Sequence, residues 1–166
     1  EEGFFKDEGL EIEIRPGGSG VRVETETALQ RSFFGITNAD KLLGVRENGL
    51  KLTALLAPFE NSPRVLVFHK SKPISSFEEL HKAKLLILNN TKPFYHFLLN
   101  RYPSIKNTDT IPYNKAVFIE NKEAVMQGYI NAEPLTFEKK GIPVGTLKLS
   151  DIGFNPYASL LICSEE

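Results

Sequence analysis

The chain has 166 residues, enough for one compact domain or two small lobes and too few for a large multidomain enzyme. Twenty basic and 21 acidic residues leave a net charge of −1, so no strong field draws the protein to nucleic acid or anionic membrane, and nucleic-acid binding is not expected. A 41% hydrophobic content with 12 Phe supports a real core and excludes disorder as the main state, while the single Cys163 can close no internal disulfide and build no Cys-based zinc site.

Residues 1–9 read as a short helix ended by Gly9, with no Ser, Thr, Asp or Asn to cap its start, so the helix is expected to begin upstream. Alternation of Leu10, Ile12 and Ile14 with Glu11 and Glu13 predicts a strand over 10–14, followed by the turn 15–20 with its run Gly17-Gly18-Ser19-Gly20. A helix is expected over 21–31, a short strand over 33–36, caps at 37–40, a helix over 41–47 and a strand over 50–57. After Pro63, residues 64–69 are a further strand, rich in β-branched and aromatic side chains. A capping-box helix over 75–82 and a strand over 85–88 follow.

Pro93 suits the first turn of a helix running to Tyr102. The remainder is expected as strand 109–112, helix 120–126, strand 128–131, helix 134–140 ended by Gly141, strand 144–149 and strand 157–163. The last is apolar on both faces over 158–163, as a covered central strand would be. Together with the uncapped start, that ending is what a fragment of a longer protein would show. No apolar run approaches the ~20 residues that span a bilayer.

Strands alternating with helices through short loops predict α/β layers on mostly parallel sheets, and such sheets bind ligands at the carboxyl ends of their strands. Three loops lie between a strand and a helix start, at 17–20, 37–40 and 90–93, where free N–H groups meet polar or anionic atoms.

The stretches GFFKDEGLEIEI, RPGGSG, GITNADKLL, SFEEL, QGYINAEP and DIGFNPYASLL, in this order over nearly the whole chain, resemble the substrate-binding proteins of ABC importers. They are most similar to the branch that holds nitrate, sulfonate and taurine receptors and binders of thiamine-pyrimidine precursors. The resemblance implies a two-lobed type II periplasmic-binding-protein fold whose first lobe is incomplete. The division expected is a partial first lobe at 1–62, a crossing strand at 63–69, a second lobe at 70–156 and a returning strand at 157–166. It further implies a non-catalytic receptor, in the periplasm or on the cell surface as a lipoprotein and monomeric when full length, that hands a small solute to a membrane permease. A pyrimidine synthase of the same fold is the enzymatic alternative, but the cysteine-rich motif of that branch is not found here.

Within that fold the candidate ligand residues are Gly18, Ser19, Thr37, Asn38, Asp40, Phe59, Asn90, Lys92, Phe94, Tyr95, Glu133, Asn155 and Tyr157. Gly18 and Ser19 are a tight turn or an anion cradle without the Lys of a P-loop, and Asn38 is a helix cap or a ligand contact. Phe59, Phe94, Tyr95 and Tyr157 offer flat faces to a heteroaromatic ring, or pack in the core. Glu133 opens a helix, where the macrodipole favours a carboxylate, or accepts from an exocyclic amine. His69, His81 and His96 show no metal-ligand spacing, and neither cofactor nor metal is expected. These groups favour a small amino-substituted heteroaromatic such as a pyrimidine precursor of thiamine; Lys92 and the glycine-loop amides are the features that would instead serve a sulfonate or nitrate.

Overall fold

Helices and strands alternate through most of the chain in the computed structural model, which describes residues 2–18, 20–88 and 93–165. The one-turn helix α1 (Phe4–Asp7) stops before Gly9, whose φ of 70° lies in the left-handed region that glycine enters without strain. Helix α2 (Val23–Ala28), strand β1 (Phe34–Thr37), helix α3 (Ala39–Glu47) and strand β2 (Leu52–Leu56) complete the first part. Strand β3 (Arg64–His69), a 3₁₀ turn (Phe77–Lys82), β4 (Leu85–Ile87), α4 (Pro93–Arg101), β5 (Asp109–Ile111), α5 (Lys115–Glu120), β6 (Ala124–Tyr129), α6 (Glu133–Lys139) and β7 (Val144–Lys148) build the second. Strand β8 (Leu160–Ser164) then returns.

Two sheets result. β8 lies between β1 and β2, antiparallel to both; the other sheet has the order β5-β4-β6-β3-β7. The α/β, two-lobed expectation holds, but the sheets are not mostly parallel: the three-stranded sheet is antiparallel throughout, and in the five-stranded one β4 runs parallel to β5 and β6 while β3 runs antiparallel to β6 and β7. β3 takes that direction because it enters its sheet from the other lobe. Residues 64–69, expected to cross between lobes, pair along their length within the five-stranded sheet. The crossings therefore fall just before β3 and just before β8.

Three further local expectations are corrected. Residues 10–18 form no strand, because alternation supplies only a face; among the described residues no partner strand meets them, and Leu10, Ile12 and Ile14 stay exposed. The helix expected at 120–126 lies instead at 115–120, where the Asn114 side chain caps it by accepting from the Val117 N–H at 3.1 Å. Ala124, Val125 and Met126 are buried in β6 between β4 and β3, where β structure pairs their backbone. The segment 77–82 is a 3₁₀ rather than an α-helix, with Glu79 accepting from the Ser75 N–H at 2.8 Å.

The five-stranded sheet is packed on both faces. Leu66, Leu80, Leu86, Leu98 and Phe94 are buried on the α4 side, and Val65, Val67, Met126, Phe118 and Phe137 on the α5 and α6 side. Truncating one such leucine to alanine costs about 2–5 kcal/mol. The smaller sheet buries Leu52, Leu160 and Ile162 against Leu42 of α3, yet Phe34 and Ile36 on its other face are exposed. Helix α2 reaches β1 only because position 35 is glycine: a Cβ there would stand 2.5 Å from Thr27 Oγ1 and 2.7 Å from Val23 Cγ1.

Gly35→Ala is therefore expected to destabilise the fold by about 1–3 kcal/mol, the cost of overpacking, in urea unfolding. Gly44→Ala, in open space on α3, should be neutral or stabilising by up to about 1 kcal/mol. His69 yields a pH dependence. It is buried, its Nε2 donates to the Phe118 carbonyl at 2.7 Å, and its ring stacks on Phe118 at 4.3 Å. Burial pushes the imidazole below its ordinary 6.5, with the Phe118 hydrogen bond opposing and Lys122 adding to the shift. A folded value below the unfolded one means stability is complete above about pH 6.5 and lost as pH falls through and below it. The urea midpoint should drop on acidification from about pH 7.5 to 5.5, and His69→Gln, which keeps a donor but cannot titrate, should flatten that slope.

Candidate functional site

The two sheets meet where β1 runs into α3, where β3 begins, and where β6 and β7 end. Asn38 stands at the N-cap position of α3 but makes no side-chain cap bond. Its Oδ1 instead accepts from the Ser159 N–H at 3.2 Å, with the Tyr129 hydroxyl at 3.5 Å. The Ala39 N–H donates to the Tyr157 carbonyl at 2.9 Å, so the start of α3 is tied to the returning segment.

Asp40, in the first turn of α3, receives a forked hydrogen-bonded ion pair from Arg64, at 2.7 Å from Nη2 and 3.2 Å from Nη1. The Arg64 side chain is 4% exposed and that of Asp40 13%, and the guanidinium lies over the Phe154 ring, 5.7 Å from its centroid. Burial works against the charge of Arg64, but Asp40 outweighs it and Tyr129 adds to the effect, holding the guanidinium above its ordinary value. The Asp40 carboxylate is thus already committed to Arg64.

Glu133 opens α6 and is buried at 6% exposure. Its Oε1 accepts from the Tyr113 hydroxyl at 2.6 Å and faces Lys115 Nζ at 3.3 Å, and its Oε2 accepts from the Tyr129 N–H at 2.7 Å. Burial pushes its carboxyl up, but Tyr113, the Tyr129 N–H and Lys115 outweigh burial and hold it below the ordinary carboxylate value. The Tyr113 hydroxyl is raised above its ordinary value, by burial first and Glu133 next, with Lys115 opposing. Position 128 must be glycine for this carboxylate to lie against β6, since a Cβ there would come 2.9 Å from Oε2. An ionised carboxylate offers about four lone-pair positions; three are used, and one on Oε2 remains.

Behind the start of β3 a concavity of about 530 Å³ is lined by Phe59, Ser62, Ile130, Lys148, Asp151 and Asn155, among others. Asn155 ties the two crossings together: its Oδ1 accepts from the Ser62 N–H at 2.7 Å and its Nδ2 donates to Asn61 Oδ1 at 2.9 Å.

Asn38, Asp40 and Tyr157 therefore gather at the junction of the lobes, with Tyr157 half exposed. Phe59 and Asn155 face the concavity, and Glu133 sits in its own cluster. The structure places four other candidates away from the junction. Phe94 is 1% exposed and packs on Phe154 at 5.4 Å, a core position. Tyr95 packs against the same core, edge-on to His96 at 6.0 Å. Thr37 is buried under α2, its hydroxyl donating to Glu24. Gly18 lies in an exposed loop with nothing within 4 Å of where a Cβ would stand, so no close backbone approach requires it. Ser19, Asn90 and Lys92 lie outside the described residues. Sequence reasoning missed Arg64, Tyr113, Lys115 and Tyr129. Arg64 alone carried a signal, a charge opening an apolar strand, which demands a buried partner.

Among the described residues, no group of three or more His, Cys, Asp or Glu side chains is placed to hold a metal, and no helix is long and apolar enough to cross a membrane.

No curated protein matches the chain in sequence. Solved structures do match in fold. The periplasmic aliphatic sulphonate binding protein of Escherichia coli is 16% identical with a TM-score of 0.61, over 85% of this chain and 47% of its own. The glycine betaine/L-proline-binding protein of a Borrelia burgdorferi ABC transporter is 14% identical with a TM-score of 0.63, over 97% and 67%. A periplasmic binding protein of high arginine specificity from Salmonella typhimurium is 14% identical with a TM-score of 0.68, over 97% and 70%. All three are binding proteins by name rather than enzymes, and the chain spans about half the length of the E. coli protein. The NMT1/THI5-like family profile matches residues 1–166, and the chain, with its two-lobed α/β fold of the periplasmic binding proteins, belongs to that family.

Proposed function

We propose that this chain is part of a solute receptor of an ABC importer, working in the periplasm or at the cell surface. It captures a small amino-substituted heteroaromatic, such as a thiamine-pyrimidine precursor, between its lobes and presents it to a membrane permease. The observation that carries the ligand class is charge matching. Arg64 at the junction is paired with Asp40, and Lys115 is paired with Glu133 in the Tyr113 cluster. An anionic ligand drawn to either of these two cations would have to displace its carboxylate in a partly desolvated site, at a cost of several kcal/mol. A neutral ring bearing an amine needs no such exchange. The half-exposed Tyr157 supplies a stacking face, the Asn38 amide a hydrogen-bonding edge, and the remaining lone pair of Glu133 an acceptor for the amine; Phe59 and Asn155 complete the proposed lining. The receptor reading rests on the family and on the fold shared with binding proteins.

Calorimetry on the protein against an aminopyrimidine and an alkyl sulfonate tests the reading. Binding of the aminopyrimidine in preference to the sulfonate is expected; the reverse order overturns it. Glu133→Gln should weaken the aminopyrimidine by about 1.5–3 kcal/mol, the range for hydrogen bonds to a charged group, and should improve sulfonate binding by freeing Lys115. Unchanged affinities in that variant would remove Glu133 from the site.

A further inference from the structure

We propose that Asp40 and Arg64 form a buried latch that sets the angle between the two lobes, acting as positioning residues rather than as ligand contacts. Asp40 belongs to α3, which packs on the three-stranded sheet, and Arg64 is the first residue of β3 in the five-stranded one. The pair therefore bridges the lobes directly, while Asn155 joins one crossing to the other and the Tyr157 carbonyl joins α3 to the returning segment.

Its chemistry gives it a preferred geometry. Both terminal nitrogens of the guanidinium point at Asp40, at 2.7 and 3.2 Å. Arg64 Nε is buried with no hydrogen-bond partner, so Asp40 is the carboxylate that compensates the buried cation. Phe154 backs the guanidinium and is itself wedged against Phe94 and Phe97 of α4, at 5.4 and 5.1 Å. Rotating α3 away would leave a cation pinned against a ring without its counter-ion, which is far more costly than loosening a solvated pair. A planar fork also tolerates little angular error, unlike a point charge. Without solute the lobes are thus held at one angle, and a change of that angle on binding has to pivot about this pair or break it. This stands on the lobe geometry and is independent of the ligand class proposed above.

The test needs no ligand. Nitroxide labels at Glu47→Cys on α3 and Lys106→Cys in the second lobe, in a Cys163→Ser background, report the interlobe distance by pulsed electron paramagnetic resonance. A second pair, Lys106→Cys with Glu138→Cys, reports distance within one lobe. The parent should give one narrow interlobe distribution. Asp40→Asn and Arg64→Met should each widen it at least twofold, and their combination no further, while the intralobe distribution stays unchanged. A broad parent distribution, an unchanged interlobe width in folded variants, or equal broadening of both label pairs overturns the proposal. Should either single variant fail to fold, Arg64→Lys decides: it keeps the charge and loses the fork, so a widened interlobe distribution supports the latch and the parental width refutes it.

Discussion

An arginine taken out of water at the head of a buried strand has to be matched where it stands, because desolvation of an unpaired cation costs more than most single contacts can return. In this fold the match comes from the other lobe. Arg64 precedes the apolar run 65–68 of the interior strand β3, and Asp40 meets it from the first turn of α3. Much else at the junction follows from that pairing. Asn38, two residues before Asp40, is brought to the Ser159 N–H and within 3.5 Å of the Tyr129 hydroxyl, and Phe154 packs between the guanidinium and α4.

The second buried carboxylate obeys the same rule within one lobe. Glu133 opens α6, lies against a glycine of β6, and gathers a phenol, an ammonium and a backbone N–H. In neither cluster is the ionised carboxylate left without a cation.

How much of this could be read from residues alone depends on the range of the interaction that decides each feature. Gly9, Gly141 and Pro93 act on their own turns, and each stands where its local chemistry places it. The segment 10–14 has the alternation of a strand, but a strand is made by its neighbour, and alternation carries no information about whether one is present. Strand direction is equally silent locally: β3 is antiparallel to β6 and β7 because of where the chain enters the sheet, not because of any residue within it. At 120–126 a helical reading lost to Asn114, a cap just upstream, and to the demand of two flanking strands for a partner. The candidate site shows the same division. Asn38 and Asp40 were legible as polar residues at a strand-to-helix loop, whereas their partners Tyr129 and Arg64 lie 91 and 24 residues away and had no local mark beyond the charge of Arg64.

The Asn155 side chain, bonded to both the Ser62 N–H and Asn61 Oδ1, has a mechanical consequence. Two separate straps between rigid bodies can slide past each other, and the bodies can then twist as well as bend. Straps stitched side by side behave as a leaf spring, soft to flexing about one axis and stiff to torsion and shear. One asparagine thus stiffens the junction against twist and shear and leaves flexing about one axis as its soft direction, so that side chains contributed by different lobes keep their lateral alignment.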